Sequence, residues 1–187
     1  MGIYKDVMST LVRVLAADSI DNSTKQSWQK LIDADLRQGG TGGSLSVRDK
    51  FDYDCCLYAL LHRQLEPAQW DVLVAKYSTH KANKVAAIGR LVARMVSPAP
   101  QLFIYKALTA WAIPKLKGLQ SGKRSTDMIV LPAEFYDMNT WDVEGKPEST
   151  RRRWKTGIAK RLESLEEAAV IHATEIFDRE EIFIDAA

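Results

Sequence analysis

Cysteine is almost missing from the chain: two residues in 187, and they are neighbours, Cys55 and Cys56. Adjacent cysteines bridge only with backbone strain, and two are too few for a disulfide framework. A disulfide-stapled scaffold is therefore excluded, and a reducing compartment is expected. Histidine is scarce as well, and His62, His80 and His172 show no zinc-finger spacing with the cysteines, so neither a metal site nor a cofactor is expected. No apolar run approaches the length of a membrane span. Asp6 and Arg13 interrupt the apolar residues of the N-terminus, where a signal peptide would be continuous. The expectation is a cytoplasmic protein with no membrane partner. An excess of one charge is also lacking, since 26 basic residues face 24 acidic ones for a net charge of +2. Global charge thus says nothing about nucleic acid, and only its distribution along the chain can. No repeat of fixed period is present.

What the chain does have is helical periodicity at an ordinary composition, 46% hydrophobic and 27% charged, over a length that allows one compact domain or two small ones. Residues 3–17 read as a helix with Val7, Leu11, Val14 and Leu15 on one side. Turn chemistry at 18–23 then leads into a second helix carrying Trp28, Leu31, Ile32 and Leu36. A helix starts at Asp49, and another has Pro67 in its first turn and Trp70, Leu73, Val74 and Tyr77 at helical spacing. Ser78-Thr-His80 turns the chain into a helix over 81–95, with Val85, Ile88, Leu91, Val92 and Met95 on one face. Ser97-Pro-Ala-Pro100 stops it, and a further helix covers 101–111. Trp70, Tyr77 and Trp111 are expected as core aromatics rather than stacking platforms. The helix-turn-helix rhythm of residues 65–93 resembles the helices at the end of bacterial sigma factors that face polymerase or DNA. The fold class expected is all-α. Its parts are an N-terminal helical and glycine-rich arm (1–48), a helical core (49–118) and a C-terminal helix-turn-helix region with an acidic tail (119–187).

Charge segregates near the C-terminus. Lys146, Arg151, Arg152, Arg153, Lys155, Lys160 and Arg161 meet only Glu148 between residues 146 and 161. Pro147 precedes a helix there, and Ser149 or Thr150 is placed to cap its first amides. Trp154, Ile158, Leu162 and Leu165 share one side of it, so that Ser149, Arg152, Arg153, Thr156 and Lys160 gather on the other. An apolar stripe that docks and an opposite face of cations and small hydroxyls suit a DNA major groove, where Arg and Lys reach guanine edges and Ser or Thr holds phosphate. Upstream, residues 131–138 read as a short helix opened by Pro132, and 139–145 as a turn. Short helix, turn and basic helix together match a helix-turn-helix with a long turn, and Trp141 and Trp154 supply its core. Beyond Leu162 the sign reverses: eight carboxylates oppose Arg179 alone. Ile176, Phe177, Ile182, Phe183 and Ile184 mark this end for docking on the protein's own core or on a partner.

Two glycine-bearing stretches stand apart. Residues 38–44, Gln-Gly-Gly-Thr-Gly-Gly-Ser, lack the Gly-Lys-Ser/Thr and the preceding strand of a phosphate loop, leaving a flexible linker or an arm that lies against a partner or RNA. Residues 115–124 read as a basic, exposed connection. Catalysis finds no convergent groups. Asp52 with Asp54, and Asp33 with Asp35, are pairs two residues apart that a helix does not place face to face. A non-enzymatic protein is expected, and a small nuclease is the weakest of the alternatives.

The block Leu65-Glu-Pro-Ala-Gln-Trp-Asp-Val-Leu-Val-Ala-Lys-Tyr-Ser-Thr-His80, with Ser97-Pro-Ala-Pro100 and Thr109-Ala-Trp-Ala-Ile-Pro-Lys115, resembles phage and prophage Q-type late-gene transcription antitermination factors. The likeness covers residues 51–118 by sequence and 127–165 by architecture. It lacks the zinc-binding cysteine set that Q-type proteins often carry. The resemblance implies a factor that binds a promoter-proximal DNA element through a helix-turn-helix and then transfers to bacterial RNA polymerase with its sigma factor. There it occupies the RNA exit channel, so that terminator hairpins in the nascent RNA do not form. Carried onto this chain, duplex DNA would be met by Ser149, Thr150, Arg151, Arg152, Arg153, Lys155, Thr156 and Lys160. The exit channel and its RNA would be met by Gly39, Gly40, Gly42 and Gly43 with Arg37 and Arg48, although a linker explains that stretch equally well. A plain helix-turn-helix activator or repressor is the alternative.

Overall fold

The computed structural model describes residues 6–21, 47–115 and 129–182. Among them every regular element is helical, as expected. These are α1 (Val7–Asp21), α2 (Val47–Gln64), α3 (Pro67–Tyr77), α4 (Lys81–Arg94), α5 (Gln101–Ala112), two single-turn 3-10 helices (Ala133–Tyr136 and Met138–Thr140) and α6 (Glu148–Arg179). No helix among the described residues is long and apolar enough to cross a membrane. The expected second helix over residues 24–36 and the glycine-rich stretch, with Arg37, Gly39, Gly40, Gly42 and Gly43, lie outside the described residues. So does most of the connection at 115–124.

The described chain groups into two compact units that interleave in sequence. One is built from α1, α2, Tyr77–His80 and the chain from Val170 onward; the other from Glu66–Lys76 and Lys81–Ala169. In the first unit, α1 opens on Asp6, whose carboxylate accepts from the Ser9 amide at 2.8 Å and the Ser9 hydroxyl at 2.7 Å. These bonds to the charged form hold its pKa below the ordinary carboxylate value, the backbone amide first. The helix runs through Asp18 to Asp21, where turn residues suggested a break. Its inward face is Leu11, Val14 and Leu15, and Leu57, Leu61, Ile176 and Phe177 are buried in the same unit. Arg13 crosses from α1 to the buried Asp54 of α2 at 2.8 Å.

The second unit carries the larger core, with Trp70, Leu73, Ile88, Leu91, Phe103, Leu108, Trp141, Ile158 and Leu162 buried. Three polar ties set its geometry. Asp71, 2% exposed, receives Arg90 at 2.7 Å and Arg94 at 2.5 Å from α4. Lys84 donates to the carbonyls of Ala75 at 2.6 Å and Lys76 at 2.9 Å, filling acceptors that the end of α3 leaves open. Lys76 reaches Glu166 of α6 at 2.5 Å and lies 4.8 Å from the centre of the Trp111 ring.

Three further expectations change. Val85 does not join the inner face of α4 and is 57% exposed. Lys84 takes the inward position one residue earlier, because the open carbonyls of α3 are there to be filled. The short helix expected over 131–138 is instead the pair of 3-10 turns, separated by Asp137 in an extended conformation (φ −78°, ψ 104°). The Asp137 carboxylate accepts from the Asn139 amide at 3.0 Å and so starts a new turn rather than extending the old one. Ser149 and Thr150 do not precede the basic helix but sit in its first turn, since the Pro147 carbonyl already accepts from the amides of Thr150 and Arg151 at 3.0 and 3.1 Å. That helix also runs beyond Leu165, the last apolar residue named on its stripe. It continues unbroken to Arg179, because the inward stripe Ile158, Leu162, Ala169, Ala173, Ile176 stays in register and neither proline nor glycine follows Gly157.

Candidate nucleic-acid interface

The approach to α6 is shaped by short-range polar bonds. Asp142 accepts from the amides of Glu144 at 3.0 Å and Lys146 at 2.6 Å, and Gly145 sits at φ +67°, a left-handed value that glycine takes without strain. Pro147 follows, and its fixed φ and missing N–H suit the edge of a helix. The aromatic support is edge-to-face: Phe103 lies 5.4 Å from both Trp141 and Trp154, at 76° and 75°. Trp141, fully buried, donates its indole N–H to the Phe135 carbonyl at 2.7 Å. The 3-10 turns therefore serve as a bracket under the first turns of α6, through Trp141 and Phe135.

On that bracket the eight sequence-derived DNA residues separate into two groups. Ser149, Arg152, Arg153, Thr156 and Lys160 are exposed and recur at helical spacing along one outward strip. Arg152 is tied to Glu148 at 2.6 Å, an exposed pair one turn apart that costs little to break. The other three lean toward the protein. Thr150 is half-buried. Arg151 is half-buried too, with one guanidinium nitrogen 3.4 Å from the Asn139 carbonyl and its Nε buried without a partner. Lys155, though exposed, lies 5.2 Å from the centre of the Trp141 ring. Of the residues considered for RNA, Arg48 alone is described; it is exposed in the first turn of α2.

Beside the strip runs a groove of about 290 Å³, lined by Val96, Ser97 and Pro98 before α5 and by Thr150, Arg153, Trp154, Gly157, Ile158 and Arg161 of α6. Arg161 closes one end by donating to the Val96 carbonyl. Gly157 leaves open space where a side chain would stand. Sequence reasoning missed the groove, because nothing local shows that the Ser97-Pro98 turn lies against α6.

Chemically this surface can bind anions and stacked or apolar edges, but it holds no nucleophile–base pair. Among the described residues no group of three or more His, Cys, Asp or Glu side chains is placed to hold a metal ion. Of the paired carboxylates, Asp54 is committed to Arg13. Compared with family models, with curated proteins and with solved structures, the chain matches none.

Proposed function

We propose that this protein is a DNA-binding transcription antitermination factor acting in the cytoplasm at the nucleoid, without enzymatic chemistry. The outward strip of α6 supports the DNA step. Five exposed cations and hydroxyls stand on a helix whose other side is held by Trp154, Ile158 and Leu162. Duplex DNA takes Arg152, Arg153 and Lys160 as base and phosphate donors and Ser149 and Thr156 as hydroxyl contacts. Arg151 and Lys155 act from the flank of the strip, and Thr150 from its inner edge. The step from DNA to RNA polymerase, with sigma factor and nascent RNA as further partners, rests on the family resemblance. In it the glycine-rich stretch with Arg37 and Arg48 lies in the RNA exit channel and keeps terminator hairpins from closing.

Two measurements test the reading. If Arg152 reads a base, Arg152→Ala weakens DNA binding by about 1–3 kcal/mol and relaxes preference at that base. If it meets phosphate alone, all sequences lose affinity alike and the salt slope falls by about one unit. Unchanged binding in both respects removes Arg152 from the interface. With purified bacterial RNA polymerase, the protein should carry transcripts through an intrinsic terminator. Altered initiation with termination untouched would identify a plain activator or repressor instead.

A further inference from the structure

The groove beside α6, and the acidic and apolar residues that follow the end of that helix, are not used by the reading above. We propose that the groove takes the Glu181–Asp185 segment of a second copy of this chain, so that molecules join head to tail. This assembly does not depend on the protein binding DNA.

Charge is unbalanced in this groove. Arg153 and Arg161 stand eight residues apart on α6 with Gly157 midway, so all three lie along one side of the helix and the cations are about 12 Å apart along its axis. No carboxylate is among the lining residues. Arg153 forms no ion pair among the described residues, and Arg161 donates to the neutral Val96 carbonyl, which leaves its charge uncompensated. Between the cations the walls are apolar: Val96, 73% exposed, and Pro98 from the chain before α5, with Trp154 and Ile158 from α6. Gly157 keeps the middle open, since a Cβ there would meet nothing within 4 Å. A volume of about 290 Å³ is at the small end for a small-molecule site and suits one or two inserted side chains. The groove therefore fits an apolar group flanked by two anions. A nucleobase is the poorer occupant, because only the Ser97 and Thr150 hydroxyls stand between the arginines to meet its edge.

The chain carries that pattern where α6 ends. Glu181 is exposed and takes the left-handed conformation (φ 54°) that closes the helix, and the Ile182 amide donates to the Phe177 carbonyl at 3.0 Å. In sequence, Ile182-Phe183-Ile184-Asp185 follows, with no cation after Arg179. Glu181 and Asp185 are four residues apart, about 13 Å in an extended chain, which matches the separation of the two arginines. Phe183 falls midway between the acids, as Gly157 does between the cations. A chain cannot fill its own groove. The residues from Arg179 to Asp185 extend at most about 21 Å, whereas Gly157 lies about 33 Å back along α6. Groove and tail are different surfaces, so the contact is heterologous and builds rings or open chains rather than a two-fold dimer. A segment this short buries far less than the roughly 1,000 Å² of a stable interface, so the assembly is weak and depends on concentration.

The test is light scattering of the full chain, without nucleic acid, over a concentration series at low salt. The parent should gain mass with concentration and lose this association as salt is added. Gly157→Leu fills the middle of the groove from an exposed helix position, and Arg153→Glu reverses the charge at one end. Each should weaken association at least about tenfold. Glu181→Lys combined with Asp185→Lys should do the same from the tail. Mixing Arg153→Glu chains with the Glu181→Lys/Asp185→Lys chains brings one intact groove together with one intact tail, so the mixture should form pairs and nothing larger. Recovery of that kind cannot come from misfolded chains. A parent that stays monomeric throughout overturns the proposal, and so does association that survives the groove or the tail substitutions. Association lost in both variants and not recovered on mixing overturns the head-to-tail arrangement. If Gly157→Leu weakens duplex binding and leaves self-association as it was, the groove serves DNA and the proposal fails.

Discussion

Asp71 shows most directly how a single side chain governs a surface in this protein. It sits inside the second unit and decides where two guanidinium groups of α4 stand. Burying a lone carboxylate is costly, so both arginines are needed, and the hydrogen bond that Arg90 donates to Asp71 raises the Arg90 pKa above its ordinary value. Asp71→Asn should lower stability by about 2 kcal/mol in urea denaturation, less than the loss for a fully buried pair because the arginines stay in water. Lys84 works in the opposite sense. Burial pushes its ammonium down to about 8 from 10.5. Between these values the unfolded chain binds the extra proton, so this group makes folding more favourable as pH rises through that window. Urea midpoints of the parent and of Lys84→Met, taken at neutral pH and at about pH 9.5, should show the parent gaining relative to the variant. Neither role is visible in the sequence, where Asp71 and Lys84 read as two more charges on amphipathic helices.

At the scale of elements, α6 combines two tasks in one rod. Its apolar stripe holds it to the protein, and its first turns present the basic strip. Ile158 is 1% exposed, and Ile158→Ala should cost about 2–4 kcal/mol through the cavity it leaves, measured by denaturation. Gly157 is the weak point of the rod, with open space around its absent side chain. Gly157→Ala should stabilise the helix by about 0.5–1 kcal/mol and narrow the groove beside Trp154, a shift that thermal unfolding will register. The stripe from Trp154 to Leu165 is legible from spacing alone. The helix end is not, because the change of charge sign after Leu162 suggests a boundary where backbone and core see none. The 3-10 turns were equally hidden. Pro132 starts a helix of any kind, and only the Asp137 cap shows that two short turns win over one long one.

Across the whole molecule, charge is segregated along one continuous helix, cations in its first half and carboxylates in its second. For DNA this means that binding should be salt-dependent with only a few phosphate contacts, since the acidic half repels the backbone. The glycine-rich stretch tests the antitermination step separately. Deleting residues 39–44 should leave DNA affinity unchanged in a mobility-shift assay and abolish terminator readthrough. Retained readthrough would reduce the stretch to a linker. The two compact units do not follow chain order, and a division into successive segments at 48 and 118 gives no sign of that interleaving. Residues 170–179 close the first unit although they are covalently the end of the basic helix.

Periodicity and punctuation, read without coordinates, were enough for the all-α class, for Pro67 and Ser97-Pro98 as helix boundaries, and for the cationic strip opposite Trp154 and Ile158. These are local properties, set by about 100° of rotation per residue and by which backbones a proline permits. Tertiary structure alone decided that Arg151 leans inward toward Asn139, that Lys84 displaces Val85 from the core, and that Arg90 and Arg94 are aimed by a carboxylate nineteen and twenty-three residues away. Those outcomes depend on which open carbonyl or buried charge lies within reach once the helices have packed, and no helical pattern carries that information.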